Sequence, residues 1–276
     1  MEITLQHNFF GVNLDSLKTS IYKDHLKIAI NSCRMNTDLK TWCLYTGEKS
    51  DMYDWLVSKN ITMLDCNQTL LVDKINHAEN GTFNQGIARG AWLRVEIPNL
   101  VRSLDIKTTH VLYTDVDVIF TNKWNSVMLT TDGIPRFACS IEGDTQSNYN
   151  TGVMVMNVEY MQNTYSSFMN YVYDTGIGTF NPYDQAALNN FYPVNSITRL
   201  QRRYWNWTPY MNNGTLPDDV ARIKHFHGPK LNFVRSKGAC MPIDTNPLHE
   251  FIHHLYNQSP QKYDEMLSLA DVYLHD

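Results

Sequence analysis

The chain has 276 residues, 43% of them hydrophobic and 12% aromatic, with a formal net charge of −5. That composition supports a sizeable packed core and excludes an intrinsically disordered chain, while the acidic balance and the lack of any basic block exclude a surface built to grip a nucleic-acid backbone. The length suits one large α/β domain better than two separate ones.

The opening MEITLQHNFFGVN has neither the basic start nor the apolar stretch of a signal peptide, and nowhere does the sequence approach the roughly 18 consecutive apolar residues of a membrane span. The expectation is a cytoplasmic protein without a transmembrane segment. EITLQHN reads as a short opening strand followed by a turn around Gly11, and residues 15–33 as a helix with Leu17, Ile21, Leu26 and Ile30 roughly on one face. TWCLYTG (41–47) is a strand stopped by Gly47, DMYDWLVSKN (51–60) a helix, and ITMLDC (61–66) the next strand. RGAWLRVEIPNLV (89–101) reads as helical as far as Pro98, and is followed by the strand-like HVLYTDVDVIF (110–120), RFACSIE (136–142) and GVMVMNVEY (152–160). After about residue 160 the pattern becomes irregular and aromatic-rich, as in RRYWNWTPYM, and no internal repeat, low-complexity linker or clear domain boundary stands out. Cys33, Cys43, Cys66, Cys139 and Cys240 are widely spaced with no CxxC and read as reduced, mostly buried thiols. Strands alternating with helices, with near-continuous apolar runs such as GVMVM, predict an α/β fold with a mostly parallel sheet covered on both faces.

Two aspartates interrupt one of these apolar runs. Asp115 and Asp117 follow Val111–Tyr113, and residues i and i+2 of a strand point the same way. An ionised carboxylate in a buried run is costly unless something positive compensates it. At the carboxyl end of a central strand, where open α/β sheets take ligands, a divalent cation would relieve both the repulsion and the desolvation, and oxygen ligands suit Mg²⁺ or Mn²⁺. The plainer alternative is one helix cap and one solvated loop carboxylate.

IKHFHGPK (223–230) places His225 and His227 two residues apart, beside Gly228 and Lys230. An imidazole added to two carboxylates moves the preference toward Mn²⁺, Gly228 allows a ligand close to the backbone, and Lys230 offers a point charge suited to phosphate. Taken alone, the two histidines read as a satisfied polar pair. In NPYDQAALNNFY (181–192) Asp184 stands at a helix start, where it reads equally as an N-cap. In YNTGVMVMN (149–157) Asn150 and Thr151 precede a buried strand and either bind a polar ligand or close a turn. Tyr204, Trp205, Trp207 and Tyr210 form an aromatic cluster that reads as core before it reads as a sugar-stacking surface, and the last residues show no basic amphipathic helix for membrane docking.

Taken together, ITLQHN, LRVEIPNLV, HVLYTDVDVIF, YNTGVMVMN, YDQAALNNFY and KHFHGPK, in that order over residues 3 to about 230, resemble the family 8 glycosyltransferases, the group that includes glycogenin and bacterial lipopolysaccharide galactosyltransferases. The resemblance implies a GT-A fold, a Rossmann-like mostly parallel sheet flanked by helices and merged with an acceptor-binding half. It implies a single domain over residues 1–276, with a nucleotide-binding half to about 120, a donor-sugar and acceptor half to about 235 and a C-terminal extension. It implies Mn²⁺, with Mg²⁺ as the alternative, held by Asp115, Asp117 and His225 and bridging the diphosphate of a UDP-sugar, whose hexose passes to a glycan or protein acceptor. Arg94, Asn150, Thr151, Asp184 and Gln185 match positions on the donor side, Gly228 and Lys230 the diphosphate side, and Asn8 more loosely the uracil and ribose. Retention of configuration is also implied. Gln185 is a poor nucleophile, so the expected route is attack on the same face as the departing diphosphate, with Gln185 beside the anomeric carbon and Asp184 orienting the sugar hydroxyls.

The pattern departs from the family in places. Asn181 stands where an acidic residue is usual, and HFHGPKLNF is one residue short before the lysine and lacks the Pro-Trp that follows it. The aromatic expected shortly after ITLQHN is displaced to Phe9 and Phe10. These departures leave the metal ligands intact and bear on the sugar.

Two rival readings compete. An apolar strand followed by DVDV also resembles the nucleophile loop of haloacid-dehalogenase-like phosphatases, with Asp115 as nucleophile and Asp117 as general acid, but that motif usually opens its domain and here more than 100 residues precede it. A non-catalytic carbohydrate- or nucleotide-binding module on a degenerate transferase scaffold tends to lose an aspartate or the histidine, and this chain keeps Asp115, Asp117 and His225.

Overall fold

The structure, a computed structural model, describes residues 3–18, 22–78, 84–130, 133–142, 147–208, 217, 219–227, 230, 231 and 246–275; Ile21, Tyr210, Gly228 and Cys240 lie outside these. The chain divides into two compact units that interleave along the sequence: Met1–Ser20, Leu39–Asp115 and Ser126–Leu200 form the first, and Ile21–Asp38, Val116–Asn125 and Gln201–Asp276 the second. The described strands are β1 (Leu5–Asn13), β2 (Lys40–Thr46), β3 (Thr62–Asp65), β4 (His110–Thr114), β5 (Val118–Phe120), β6 (Phe137–Glu142), β7 (Asn148–Asn157), β8 (Thr198–Arg199) and β9 (Ile223–His225).

In the first unit a seven-stranded sheet runs in the order β3-β2-β1-β4-β7-β6-β8. The pairs from β3 to β4 are parallel, β7 runs antiparallel to both β4 and β6, and β8 is parallel to β6. The mostly parallel sheet expected from the sequence is therefore present. One face buries Phe9, Leu44, Val111, Tyr113, Met154 and Met156 against Trp92, Leu93, Phe168 and Leu188 from the flanking helices.

Away from the two aspartates, four segments differ from the sequence reading, each for a local reason. First, β1 does not turn at Gly11 but runs on to Asn13. The glycine is there because helix Gln85–Ala91 packs against the strand: a Cβ at Gly11 would lie 2.5 Å from the Gly90 carbonyl oxygen. Second, the expected helix 15–33 is a short turn at Leu14–Leu17, capped by Asn13, and a separate helix Tyr22–Asn36. Third, Pro98 does not stop its helix. It sits in the first turn of Ile97–Ser103, where a missing N–H costs nothing, after a 3-10 turn at Trp92–Glu96. Fourth, β7 ends at Asn157, whose Oδ1 accepts from Tyr160 N and starts helix Val158–Thr175, so Val158–Tyr160 are helical rather than strand. The region past residue 160 is correspondingly more regular than expected, with Val158, Met161, Phe168, Met169 and Val172 giving that helix its buried face.

The second unit holds helix Tyr22–Asn36, the antiparallel pair β5–β9, and helices Asn246–Gln258 and Pro260–His275. Ile28, Ile119, Trp207, Phe226, Tyr263 and Met266 share its core, so Trp207 is packed inward rather than presented for stacking. Asn31 donates through Nδ2 to the Tyr273 carbonyl and Asn36 through Nδ2 to the Tyr273 hydroxyl, which ties the last helix to helix Tyr22–Asn36. The described cysteines Cys33, Cys43, Cys66 and Cys139 are buried, and none of them forms a disulfide with another.

The Gly11–Gly90 contact gives a direct test. Gly11→Ala forces the helix off β1 and should cost about 1–3 kcal/mol, as overpacking does. Thermal unfolding followed by circular dichroism should show the midpoint lowered by several degrees.

Candidate active site

The strand-like run HVLYTDVDVIF breaks at its two aspartates. Asp115 N still donates to the Gly152 carbonyl at 2.8 Å, the last rung beside β7, and the chain then leaves the sheet, so that Val118 opens the separate pair β5–β9. Asp115 thus closes the first unit and Asp117 stands in the second.

In the first unit Asp115 meets Arg94, which the 3-10 turn Trp92–Glu96 carries into the interior. The Arg94 Nη2 donates to Asp115 Oδ1 at 2.9 Å, Nη1 donates to the Thr151 carbonyl, and Nε donates to the Ala91 carbonyl at 2.9 Å. Nε also lies 2.8 Å from Asp184 Oδ2, an ion pair rather than a hydrogen bond because the Nε proton is directed at Ala91. The guanidinium lies over the Tyr113 ring, 4.2 Å from its centroid, and the Tyr113 hydroxyl donates to Asp115 Oδ1 at 3.0 Å. Burial works against the charge of Arg94, but Asp184, Tyr113 and Asp115 outweigh it and hold its pKa above the ordinary value. One cation therefore serves two carboxylates. Burial pushes the Asp184 carboxyl up to about 7 against the pull of Arg94, and the Asp115 charge adds to the rise.

Asp184 lies in the first turn of helix Tyr183–Phe191, with Pro182 as the residue preceding it. It is not an N-cap; it is a buried counter-ion. Its neighbour Gln185 is half-buried and held at both ends of its carboxamide. Oε1 accepts from Thr151 N and from Asn150 Nδ2, both at 3.1 Å, and Nε2 donates to Glu142 Oε2 at 2.6 Å. The Asn150 amide is itself oriented by Gly152 N, which donates to its Oδ1 at 3.0 Å. Asn189, one turn along, donates to the Gln185 and Tyr149 carbonyls and accepts from Tyr149 N, which clips the helix to the start of β7.

In the second unit Asp117 is 4% exposed and faces the Lys230 ammonium and the His225 imidazole. His225, fully buried on β9, puts Nε2 3.3 Å from Asp117 Oδ1, and the Lys230 ammonium pairs with Asp117 Oδ2. Burial alone would raise the Asp117 pKa, but Lys230 and His225 outweigh it and hold the carboxyl well below the usual carboxylate range. The His225 Nδ1 lies 2.9 Å from Asn206 Oδ1, an acceptor, so Nδ1 carries a proton. With Nδ1 committed to Asn206, Nε2 is the ring nitrogen turned to the Asp117 carboxylate. An imidazole whose other nitrogen is bound in this way is what a metal-binding histidine presents. Asp115, Asp117 and His225 each offer one ligand atom, and these atoms lie within 4.8 Å of one another. Two carboxylates and one oriented imidazole are a donor set that fits a divalent metal ion.

No family model matches the chain, and no curated protein matches it. Among solved structures it is similar to the galactosyltransferase LgtC in complex with donor and acceptor sugar analogs, at 16% identity and a TM-score of 0.60, covering 90% of this chain and 95% of that one. It is also similar to the glycosyltransferase GlyE of Streptococcus pneumoniae TIGR4, at 14% identity and a TM-score of 0.57 over 94% of this chain and 64% of that one. Mouse xyloside xylosyltransferase 1 matches at 10% identity and a TM-score of 0.55, over 82% and 99% of the two chains. The chain has the GT-A glycosyltransferase fold. At such identities the likeness is one of fold, and no helix among the described residues is long and apolar enough to cross a membrane.

Within the GT-A fold, the expected residues fall into two groups with one outlier. Arg94, Asp115, Asn150, Thr151, Asp184 and Gln185 are joined by direct contacts, and so are Asp117, His225 and Lys230. Asn8 stands apart: it is fully buried in mid-β1, where its Nδ2 donates to Thr114 Oγ1 at 3.2 Å and supports the residue before Asp115 from within the sheet. Gly228 lies outside the described residues. Sequence reasoning missed Glu142 and Asn206. Glu142 carried one available signal, a carboxylate at the carboxyl end of an apolar strand; Asn206 carried none.

Asp184 gives a pH test with a definite sign. Its folded pKa of about 7 exceeds the ordinary 3.8, so the stability linked to its proton is present below the lower value and is lost as pH rises through the upper one. Relative to Asp184→Asn, the native chain should lose stability between about pH 5 and pH 8, by on the order of 2–3 kcal/mol. Urea unfolding of both proteins at the two pH values measures it.

Proposed function

We propose that the protein is a metal-dependent, retaining glycosyltransferase that moves a hexose from a UDP-sugar to a glycan or protein acceptor. The observation that carries this reading is the Asp115, Asp117 and His225 donor set on a chain with the GT-A fold. These three residues would hold the ion, Mn²⁺ before Mg²⁺ because of the imidazole. A divalent ion there supplies positive charge to a diphosphate leaving group.

The remaining steps belong to the chain's own groups. Lys230 brings a mobile positive charge that leaves Asp117 for the diphosphate as the leaving-group charge grows. Asn150, Thr151, Asp184 and Gln185 line the donor-sugar side. The Gln185 carbonyl oxygen already accepts from Thr151 N and Asn150 Nδ2, which uses both of its lone pairs. That occupancy supports a Gln185 that stabilises positive charge near the anomeric carbon and disfavours one that attacks it. The acceptor would then enter on the face from which the diphosphate departs, giving retention. The buried Asp184–Arg94 pair keeps the helix start that carries Gln185 in place.

Thermal unfolding with UDP, with Mn²⁺ and with both tests the site. A ligand at ~100 times its dissociation constant stabilises by about 2.7 kcal/mol, enough to raise the midpoint by several degrees. The two together should shift the midpoint far more than either alone, and Asp117→Ala should abolish the excess. A joint shift no larger than the separate ones would overturn the metal–diphosphate reading. Donor turnover across a UDP-sugar panel, with the product's anomeric configuration read by NMR, then tests transfer and retention.

Lys230 yields a separate expectation. Because its ammonium occupies Asp117 when no other cation does, Lys230→Met should bind Mn²⁺ alone several-fold more tightly in calorimetry. The same variant should show a smaller joint shift with UDP.

A further inference from the structure

The carboxamide of Gln185 has two ends of opposite polarity, and rotating it by half a turn exchanges them at almost no steric cost. Beside an oxocarbenium-like centre the exchange is decisive, since the carbonyl end attracts the developing positive charge and the amino end repels it. Something must therefore fix which end faces the sugar. Thr151 N is a donor that no rotation can convert, and Gly152 N fixes Asn150 so that its Nδ2 is also a donor toward Gln185. Both demand Oε1 on their side. At the other end stands Glu142, the last residue of β6, whose carboxylate accepts from Nε2 at 2.6 Å. A flipped amide would set two donors against Nε2 and an acceptor against Oε1, so both ends penalise it. Glu142 lies 43 residues from Gln185 in sequence and on a different element, so the contact is made by the fold rather than by local chain geometry.

We infer that Glu142 is a positioning residue for glycosyl transfer: its carboxylate orients the Gln185 carboxamide so that Oε1 is presented as the negative end of the dipole. This inference rests on the transferase reading above. The hydrogen bond to a carboxylate also draws on the Nε2 proton and so increases the negative character of Oε1, since linked hydrogen bonds polarise one another. Glu142 acts through Gln185, and its loss should appear in turnover rather than in donor affinity.

The test uses the full chain with Mn²⁺ and a panel of UDP-hexoses, following UDP released without an acceptor, so that acceptor identity does not enter. Glu142→Ala should lower kcat by about 10- to 100-fold, the scale of a misplaced catalytic group, with KM for the donor changed less than about threefold. Glu142→Gln, which keeps an acceptor oxygen and loses the charge, should recover most of that loss. In side-chain amide NMR spectra, one Gln185 Nε2 proton should be shifted downfield in the native protein and in Glu142→Gln, and should move upfield in Glu142→Ala. If Glu142→Ala unfolds, Glu142→Asp replaces it, since it keeps the charge but withdraws it from Nε2, and the same kcat loss is expected. A Glu142→Ala enzyme within about twofold of the native kcat, or an unmoved amide proton, would overturn the inference while leaving the transferase reading standing. A Glu142→Gln enzyme as slow as Glu142→Ala would also overturn it, because the charge and not the orientation would then matter. A native protein that releases no UDP from any donor would overturn the transferase reading and the inference together.

Discussion

One buried guanidinium organises the first unit. Arg94 is 3% exposed and touches a carboxylate at the end of β4, a carboxylate at the start of helix Tyr183–Phe191, a carbonyl on β7 and the face of Tyr113. An unpaired charge at such a site would be expensive, and so would either aspartate without the arginine. Arginine suits the place because its planar fork reaches several acceptors at once and cannot give up its proton. Three chain segments that share no local sequence are thereby fixed around one point. Removing Arg94 would leave the buried Asp184 and the half-buried Asp115 without their shared cation, so its worth lies less in the strength of any single contact than in what would be left uncompensated.

The two aspartates of DVD, separated by one valine, are compensated in different ways. Asp115 has Arg94 and the Tyr113 hydroxyl, while Asp117 has Lys230 and the His225 imidazole. The difference begins with the backbone. Asp115 still donates its N–H to the edge of β7, whereas Asp117 accepts at its carbonyl from Phe226 N beside β9. A two-residue step along the chain thus carries the second carboxylate to the second unit's own partners, Lys230 and His225. The strand-like sequence conceals this break, because the apolar residues on either side of it are equally buried.

What could be read from the sequence follows from the range of the interaction. The i, i+2 aspartates, the IKHFH segment and the YDQ helix start are short patterns in which residue type and spacing carry the chemistry of Asp115, Asp117, His225 and Asp184, whereas Gln185 comes only with the family resemblance. The parallel half of the sheet was legible for the same reason, since alternating strands and helices leave few other ways to pair. Gly11 was misread because a glycine that ends a strand and a glycine that admits a helix look alike until the helix is in place. Val158–Tyr160 read as strand because the cap at Asn157 depends on a helix whose apolar face is diluted by tyrosines and asparagines. The pairing of Arg94 with both acids and the reach of Glu142 to Gln185 depend on side chains brought together across the sheet. No window along the chain contains both partners.

The same contrast between cations bears on which of them can be exchanged. Arg94 is locked by several acceptors, an aromatic face and near-complete burial, so displacing it would expose all of these groups at once. Lys230 is different in kind. Its side chain is 18% exposed, its ammonium is a compact charge on a flexible stem, and Tyr22, 5.4 Å away at the ring centroid, is a soft neighbour. An ammonium that leaves Asp117 can be rehydrated at little cost, provided that a cation of higher charge takes its place. In the proposed reading Asp117, whose partner cation is the exchangeable one, would be the carboxylate freed for a divalent ion, whereas Asp115 keeps its contacts with Arg94 and Tyr113.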